Sequence, residues 1–527
     1  MSAELDRRTF LGLAGATVVG GAYAVTIGTL PASAGTAGSP PGDLNRPKRQ
    51  FRAMWISSVV NIDWPSRTGL TIEQQQAEYI GWLELAQRLN LNAVICQVRP
   101  TADAFWPSPY EPWSQYLTGT QGADPGYDPL AFQIAEAHAR NLEYHAWFNP
   151  YRVSMGTDPN ALVPTHPARV HPDWVFPYGG KLYYNPGIPE VRRFVQDAMF
   201  DAVRRYDVDG AHFDDYFYPY PSGTTPLPDQ DTFATYGGRF DDIGDWRRDN
   251  VNRLVSEFHR RVQRAKPWVK FGISPFGIWA NFSAEHPEGS ATGGTQSYDA
   301  IYADTRRWVK EGWVDYLNPQ IYWQVGLAVA DYAALVPWWA DVVDGTDVAL
   351  YIGQATYKET SKVFGPDELA AHLTFNQAYP QVDGDVFFSA KDVRSDAQGS
   401  TSTMVAEHYS RPAIVPVIEH LGGRAPRRPV GLHGRRSSGG VQLEWTSPGE
   451  HARAADATSY AIWRLDGPSG PGDLVDATHL LATVRRSGHG RQRYLDTTAD
   501  PQGRYRYVVT ALDRLWHESS PSAALRI

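Results

Sequence analysis

Eight strand-like segments alternate with helical segments through most of the chain, and this alternation constrains the fold more than any other feature. The strand-like segments are 51–60, 91–100, 141–152, 208–215, 268–277, 314–323, 348–357 and 384–393. A helical pattern lies in each gap between consecutive segments. Eight βα repeats of this kind predict a (β/α)8 TIM barrel, an α/β fold in which parallel strands form an inner barrel.

The segment 71–90, TIEQQQAEYIGWLELAQRLN, shows the helical pattern most clearly. Thr71 and Gln74 have the spacing of a capping box, which satisfies the free N–H groups at a helix start. Tyr79 and Leu83 follow at helical spacing and share one apolar face. The segment is therefore predicted to be an amphipathic helix that packs on the outside of the barrel.

A doubly wound open sheet is the alternative fold for alternating strands and helices. Such a sheet normally has a glycine-rich nucleotide-binding turn after its first strand. The corresponding segment here, SSVVNIDWPSR, contains no glycine. The barrel, over residues 51–410, is therefore the favoured prediction.

The composition changes after residue 410. Residues 411–428 are predicted to be a linker, and 429–527 contain short alternating strand-like runs without a convincing helix. Trp445 in an early run and the late YRYVVTALDR resemble a fibronectin type III domain, with Tyr505 or Tyr507 as its corner tyrosine. An unspecified all-β sandwich remains the alternative.

The N-terminus has the features of a twin-arginine signal peptide, predicted to span residues 1–34. Arg7 and Arg8 precede a modest apolar run, and Ala32-Ser33-Ala34 supplies the small residues of a cleavage site. A membrane anchor is the alternative, although the run is weakly hydrophobic and rich in glycine. We expect export by the twin-arginine route, a flexible linker over 35–50, and a mature protein that is extracellular, periplasmic or cell-wall associated.

Charge and composition restrict the partners. The net charge of −9, without a basic stripe, argues against nucleic acid. No segment after the signal peptide is long and apolar enough to span a bilayer, so no stable membrane insertion is expected. Aromatic residues make up 13% of the chain, with 18 Trp and 28 Tyr, which suits a protein that stacks sugar rings on aromatic faces. Cys96 is the only cysteine, so no intrachain disulfide is possible.

Polar residues concentrate at the carboxyl ends of the predicted strands, where TIM barrels hold their functional groups. Strand side chains alternate between faces, so residues two apart share a face. Groups that share a face are Gln97 and Arg99; His145, Trp147 and Asn149; His212 and Asp214; and Tyr316, Asn318, Gln320 and Tyr322. A polar cluster at one end of a parallel barrel predicts the functional site.

Asp214 and Asp215 are adjacent carboxylates at the end of the fourth predicted strand. A metal site would need further carboxylate or histidine ligands, and no HExxH, HxxxH or paired DxD motif supports His145 and His212 in that role. A structural role, as a cap or as a partner of Arg99 or Arg152, is also open. Glycoside cleavage uses the pair directly, with one carboxyl as acid and a second group at the anomeric centre. Neighbouring carboxylates can be driven apart in pKa to fill both roles.

Six segments together resemble the glycosyl-hydrolase-like family 10 of bacterial exported proteins. They are FRAMWISSVVNIDWP, NAVICQVRPTADAFWPSPYEPWS, HAWFNPYRV, VDGAHFDDYFYPYP, GISPFGIW and YLNPQIYW, in the expected order. The resemblance implies a (β/α)8 barrel that hydrolyses glycans, with bacterial cell-wall glycan as the favoured substrate class.

A looser resemblance concerns the mechanism. DGAHFDD is similar to the D-G-x-D-x-D-x-E motif of family 18 chitinases, but His212 replaces an Asp and Tyr216 stands where the acid Glu would be. An adjacent Asp pair is instead similar to barrels of the O-GlcNAcase type. That resemblance implies that Asp214 polarises the acetamido group of the substrate and that Asp215 is the general acid. A covalent route with Asp214 as nucleophile stays open.

The remaining candidates are expected to bind substrate. Arg99 and Arg152 would hold a carboxylate of the glycan or else pair with the two aspartates. Amides bond sugar hydroxyls or the acetamide, tyrosines steady the acetamide, and tryptophans stack on sugar rings. The full substrate-binding set is Arg99, His145, Trp147, Asn149, Tyr151, Arg152, His212, Tyr216, Asn318, Gln320, Tyr322 and Trp323, with Trp106, Trp113 and Trp279 as further stacking candidates.

The sequence thus predicts an exported glycoside hydrolase that acts on a polysaccharide containing N-acetylhexosamine, with peptidoglycan strands first. No cofactor and no metal are expected. Two alternatives remain: a non-catalytic glycan-binding barrel, and a metal-dependent deacetylase acting on the same glycan. The oligomeric state is not predicted.

Overall fold

The structure is a computed structural model that describes residues 43–446, 456–466, 474–488 and 490–527. The predicted signal peptide lies outside the described residues. Within these ranges, no helix combines the length and the apolar character that crossing a bilayer requires.

Eight parallel strands close into a barrel, as predicted. Within the described residues, the first eleven strands are β1 (Phe51–Ile56), β2 (Ala93–Arg99), β3 (Glu143–Phe148), β4 (Arg152–Ser154), β5 (Val175–Tyr178), β6 (Lys181–Tyr184), β7 (Gly210–Phe213), β8 (Lys270–Ile273), β9 (Tyr316–Leu317), β10 (Ala349–Gln354) and β11 (Val382–Phe387). The barrel order is β1-β11-β10-β9-β8-β7-β3-β2. Each predicted strand segment contains one barrel strand or overlaps it, and the closure excludes the doubly wound alternative.

Helices surround the barrel. They span Ile72–Arg88, Gln115–Thr118, Pro129–Ala139, Pro167–Val170, Pro189–Arg205, Gln230–Tyr236, Ile243–Ala265, Ser297–Ala300, Thr305–Lys310, Tyr332–Val343, Tyr357–Thr360, Glu368–Asn376, Ala390–Ser395 and Ser400–His408. The first of them begins with the predicted capping box between Thr71 and Gln74. Tyr79 and Leu83 on its apolar face are fully buried.

A small antiparallel sheet, which the sequence analysis missed, follows β3. It has the order β4-β6-β5, and Arg152 pairs with Tyr183 across it. Its short strands lie between β3 and the helix Pro189–Arg205, in a stretch for which the sequence analysis predicted no separate sheet. This insertion matters because its first residue, Arg152, reaches the aspartate pair.

The C-terminal region is all-β. Its strands are β12 (Val430–Ser437), β13 (Gly440–Thr446), β14 (Ser459–Asp466), β15 (Leu480–Arg485), β16 (Arg491–Asp496), β17 (Tyr505–Leu512) and β18 (Leu525–Arg526). They form two sheets, β12-β13-β16 and β15-β14-β17-β18. Trp445, Tyr460 and Tyr507 lie in the core between them.

This C-terminal region packs against the amino-terminal end of the barrel. Leu515 and Trp516 belong to the same apolar cluster as Phe51 and Ile95 of the barrel strands. Residues 411–428, predicted to be a linker, also contribute buried side chains to this cluster, including Ile414. The site described next lies at the opposite, carboxyl-terminal end of the barrel.

Candidate active site

Asp214 and Asp215 follow β7 directly, at the carboxyl-terminal end of the barrel. Within β7, Phe213 packs outward against Phe258 and Phe271, while His212 points into the barrel. This alternation places Asp214 on the same, inner face as His212, as predicted, and Asp215 at the start of the loop. Only 4% of Asp214 and 3% of Asp215 is exposed.

Asp214 accepts hydrogen bonds from the neighbouring strand β3, from the residue that follows this strand, and from its own turn. The indole Nε1 of Trp147 and the amide Nδ2 of Asn149 each donate to Asp214 Oδ2 at 3.0 Å. The N–H of Tyr216 donates to Asp214 Oδ1 at 3.2 Å. Asn149 cannot turn its amide over without losing a bond, because its Oδ1 accepts the N–H of Arg152 at 2.8 Å. Asp214 is thus fixed with both oxygens oriented.

The environment of Asp214 gives its carboxyl an unusual pKa. Burial raises this pKa to about 7, and the charge of Asp215 acts in the same direction. The guanidinium of Arg152 and the donors of Trp147 and Tyr216 act against this rise. Asp214 therefore changes its protonation state near neutral pH, which is a property of groups that take part in proton chemistry.

Asp215 has a different set of partners. Gln320 Nε2 donates to Asp215 Oδ1 at 3.0 Å, and the hydroxyl of Tyr220 donates to Asp215 Oδ2. Burial raises the pKa of Asp215, opposed by these two hydrogen bonds. The two carboxyl groups therefore differ: Asp214 is held by rigid barrel groups, and Asp215 by one barrel amide and one loop phenol.

Arg152 lies beside the pair without forming an ion pair with either carboxylate. Its Nε and Nη2 donate to the carbonyl of Pro100 at 3.2 and 3.0 Å, and its guanidinium lies 4.7 Å from the ring centre of Tyr216. It is almost completely buried. Arg152 supplies positive charge from beneath the site, and the structure does not present it on the cleft surface as a binding group.

Arg99 is not a substrate-binding residue in this structure, and the prediction for it is wrong. Its Nε and Nη2 bind the carboxylate of Glu111 at 2.7 and 2.5 Å, and its Nη1 donates to the carbonyls of Asn149 and Pro150. The side chain is completely buried. Every donor group of Arg99 is therefore engaged, and neither a glycan carboxylate nor the aspartates can reach it.

His145 and His212 also differ from their predicted role, because they lie below the site in the barrel interior. Both are completely buried, and both bond to the hydroxyl of Tyr316, at 2.8 and 3.0 Å. His212 Nε2 accepts the indole N–H of Trp55 at 3.3 Å. Burial, reinforced by His145, holds the pKa of His212 well below its ordinary value, so His212 is neutral.

The hydrogen bonds of these residues have one consistent direction. Because Trp55 donates to Nε2, neutral His212 carries its proton on Nδ1 and donates to Tyr316. Tyr316 then donates to Nδ1 of His145, whose Nε2 donates to Glu143 Oε2 at 3.0 Å. In this arrangement every proton has an acceptor. The hydrogen bonds connect His212, below the site, to Glu143 at the amino-terminal end of the barrel.

The other predicted residues divide between buried and partly exposed positions. Tyr151, Asn318 and Trp106 are completely buried, so they do not present a surface to a sugar. Tyr216, Gln320, Tyr322, Trp323 and Trp113 are half-buried and lie in the segments that follow β7, β9 and β2. The ring of Tyr322 packs against Tyr357 and Phe388. Trp147 and Trp279 are nearly buried.

Two residues of the site were not among the predicted set. Trp55 bonds to His212, and its position at the end of β1, next to a polar Ser-Ser pair, is the signal that would have identified it. Tyr220 bonds to Asp215 from a loop, and no periodic pattern in the sequence identifies its partner. Within the described ranges, no group of three or more His, Cys, Asp or Glu side chains is arranged to hold a metal ion.

The barrel is closed and parallel, and two oriented carboxyl groups lie at the carboxyl end of one of its strands, which is where TIM-barrel enzymes hold their active sites. A model of the family described as glycosyl hydrolase-like 10 matches residues 50–367. The chain belongs to this family, so the predicted resemblance is confirmed, and it is an enzyme of the glycoside hydrolase class.

Two relatives are similar over most of their length. The chain is 47% identical over 481 residues to the glycosyl hydrolase YngK of Bacillus subtilis (strain 168), covering 90% of this chain and 92% of YngK. It is 41% identical over 399 residues to the glycosyl hydrolase DigH of Escherichia coli (strain K12), covering 71% of this chain and 89% of DigH. Among solved structures, the PgaB glycoside hydrolase domain of Bordetella bronchiseptica matches with 12% identity and a TM-score of 0.43, covering 67% of this chain and 99% of that domain.

Proposed function

We propose that the enzyme hydrolyses a glycosidic bond next to an N-acetylhexosamine, with Asp215 as general acid and Asp214 as the group that orients and polarises the acetamido group of the substrate. The observation that carries this proposal is the difference between the two carboxyl groups. Asp214 has three donors on rigid elements, and Asp215 stands one residue further on, at the start of the loop.

The proposed reaction has two steps. The acetamido carbonyl oxygen attacks the anomeric carbon of its own sugar while Asp215 gives its proton to the leaving oxygen, and the bond between that oxygen and the anomeric carbon breaks. Water then attacks the anomeric carbon and gives a proton to Asp215, and the acetamido group re-forms. Asp214 accepts the acetamido N–H throughout, which strengthens the attacking carbonyl.

Glu143, Lys270 and the two histidines have no direct part in this proposal, because they lie deeper in the barrel. Trp147 and Asn149 hold Asp214 in place through their donors. Tyr322 and Tyr216 line the approach to the pair, and we assign them to contacts with the sugar. Partly exposed aromatic side chains beside the pair fit a polysaccharide substrate, since the apolar face of a sugar ring stacks on an aromatic ring.

A covalent route, in which Asp214 attacks the anomeric carbon, is the second candidate. Asp214 is ionised above a pH of about 7, so it can act as a nucleophile. A thiazoline inhibitor, which mimics the cyclised acetamido intermediate, separates the two routes. We expect inhibition; a lack of inhibition together with a trapped glycosyl–Asp214 adduct would replace the substrate-assisted route.

We propose bacterial cell-wall glycan, and peptidoglycan strands in particular, as the substrate. The predicted twin-arginine signal supports this proposal, because it would place a folded enzyme next to the wall. The test is mass spectrometry of the products formed from purified peptidoglycan, with and without stem peptides, by wild type and Asp215→Asn. We expect new reducing ends from the wild type alone.

Other products would favour the alternatives. Release of acetate with the chain length unchanged, abolished by a chelator, would establish a deacetylase in place of a glycosidase. Binding without turnover by the wild type would favour a glycan-binding barrel. The Asp207→Asn variant is a matched control, because Asp207 is an exposed carboxylate that pairs with Arg514 at the other end of the barrel.

For the C-terminal region we propose a fibronectin type III-like sandwich. The support is that the seven strands in the described parts of this region divide into sheets of three and four, with Trp445 buried between them. Tyr505 accepts the N–H of Asp500 through its hydroxyl at 3.0 Å, and Tyr507 donates to Asp496 at 2.7 Å, so either is a candidate corner tyrosine.

A further inference from the structure

Asp215 receives a hydrogen bond on each carboxyl oxygen, and one donor is a phenol that the sequence analysis did not single out. The hydroxyl of Tyr220 donates to Oδ2, and Gln320 Nε2 donates to Oδ1 at 3.0 Å. Gln320 is further fixed because the same Nε2 also donates to the carbonyl of Ser274 at 3.0 Å. The carboxyl of Asp215 is therefore clamped from two sides.

Tyr220 is itself held in place by aromatic packing. Its ring stacks on that of Tyr216, with centroids 4.9 Å apart and planes 17° apart, and it makes an edge-on contact with the ring of Phe276, with centroids 5.1 Å apart. The guanidinium of Arg152 lies over the Tyr216 ring. Prolines at 219 and 221 restrict the backbone on both sides of Tyr220. The phenol has little freedom to leave Asp215.

We propose that Tyr220 is a positioning residue for the reaction: it holds the carboxyl of Asp215 towards the leaving oxygen and stabilises the carboxylate that forms when Asp215 gives up its proton. This inference rests on the proposed role of Asp215 as the general acid. The inference goes beyond that role because it makes a loop residue, Tyr220, responsible for the acid strength of Asp215.

The proton balance of the step is simple. The proton of Asp215 moves to the leaving oxygen as the bond to the anomeric carbon breaks, and negative charge appears on the carboxyl of Asp215. The proton of Tyr220 stays on Tyr220, because burial and the charge of Asp215 hold its pKa well above the ordinary value. Tyr220 is thus a donor before and after the transfer, and its bond strengthens as the charge develops.

The test is the pH dependence of kcat/KM for Tyr220→Phe, measured as reducing ends released from purified peptidoglycan strands. Phenylalanine keeps the ring stack and removes only the donor. Loss of a donor to a carboxylate raises the pKa of Asp215, so we expect the alkaline limb to move up by about one pH unit, and kcat to fall about tenfold. KM should stay close to that of the wild type, because the ring surface is unchanged.

Tyr218→Phe is the matched control. Tyr218 lies in the same loop, but its hydroxyl accepts the amide of Asn250 at 3.3 Å and does not reach Asp215. We expect no movement of the alkaline limb in this variant. A second variant, Gln320→Met, removes the other donor to Asp215 and should move the limb in the same direction as Tyr220→Phe.

The outcomes distinguish a failure of the Tyr220 proposal from a failure of the assignment of Asp215 as general acid. If the limb stays in place in Tyr220→Phe and in Gln320→Met, while Asp215→Asn abolishes turnover, Tyr220 has no positioning role and the acid assignment stands. If Asp215→Asn retains turnover with the wild-type alkaline limb, the acid assignment fails and the role of Tyr220 falls with it. A shift in Tyr220→Phe that is absent in Tyr218→Phe supports the proposal.

Discussion

The indole Nε1 of Trp516, in the C-terminal region, donates a hydrogen bond of 2.6 Å to Oε1 of Glu143, at the first residue of barrel strand β3. The same oxygen binds Lys270 Nζ at 2.6 Å. Burial opposes ionisation of Glu143, yet Lys270 and His145 hold its pKa below the ordinary value. The C-terminal region therefore contributes directly to the stability of a buried charge in the barrel.

Trp516→Phe tests this contribution. The variant keeps an aromatic ring and loses a donor to a buried carboxylate, so we expect a loss of about 1.5–3 kcal/mol in the free energy of unfolding, measured with urea. Trp463→Phe is the control, because its indole donates to the neutral hydroxyl of Thr510 at 3.2 Å and its loss should cost about 0.5–1.5 kcal/mol. An equal or smaller loss in Trp516→Phe would contradict the expectation.

The buried pair of Arg99 and Glu111 gives the second prediction. Glu111→Gln leaves the guanidinium buried without its counter-charge, so we expect a loss of about 3–5 kcal/mol in the free energy of unfolding. The double variant Arg99→Met/Glu111→Leu removes both charges and should recover most of that loss. Glu190→Gln breaks an exposed pair with Arg193, and should cost less than about 1 kcal/mol.

Kinetics of the same double variant test whether Arg99 contacts substrate. Because Arg99 is completely buried, KM for peptidoglycan strands should remain within about twofold of the wild-type value, since no binding energy is lost. A tenfold rise in KM without a fall in kcat would show that Arg99 does bind the glycan, as the sequence pattern had indicated.

Asp214 gives a prediction about stability and pH. Its pKa is about 7 in the folded protein, above the ordinary value near 4. The folded state therefore binds the proton more tightly than the unfolded chain, and the free energy of unfolding falls as the pH rises from about 4 to about 7. Asp214→Asn removes this effect, so at pH 8 the variant should be more stable than the wild type by up to about 4 kcal/mol.

The same comparison at pH 4 is the control. There Asp214 is protonated in the folded protein, so the variant gains no advantage and should be equal to the wild type or slightly less stable. Urea midpoints at the two pH values measure the difference. If Asp214→Asn is destabilised by the same amount at both pH values, ionisation of the buried Asp214 carboxyl does not lower the free energy of unfolding of the wild type.

The barrel and the Asp214–Asp215 pair were predictable because both depend on local patterns. Side chains alternate between the two faces of a strand. Asp214 could therefore be assigned to the same face as His212, because it lies two residues further along the sequence. The errors concern partners that no local pattern specifies. Arg99 looks like a binding residue until a loop brings Glu111 against it, and Tyr220 gains its role only when its loop folds back onto Asp215.

The docking of the C-terminal region was missed for the same reason. Trp516 and Glu143 are separated by most of the chain, and their hydrogen bond exists only after both units have folded.

The roles of His145 and His212 were missed for a different reason. A histidine on the inner face of a strand can bind either a substrate or another buried side chain. Here both histidines bond to Tyr316, which comes from a strand far along the chain.

The indole of Trp147 offers the last prediction, because it donates to Asp214 Oδ2. The proposed reaction needs Asp214 ionised, and this bond favours the ionised form. Trp147→Phe removes the donor and raises the pKa of Asp214, so the acidic limb of kcat/KM should move up by about one pH unit. Trp106→Phe is the control, since its indole donates to Asp201 outside the site and its loss should leave both limbs in place. An acidic limb that does not move in Trp147→Phe would mean that the group titrating there is not Asp214.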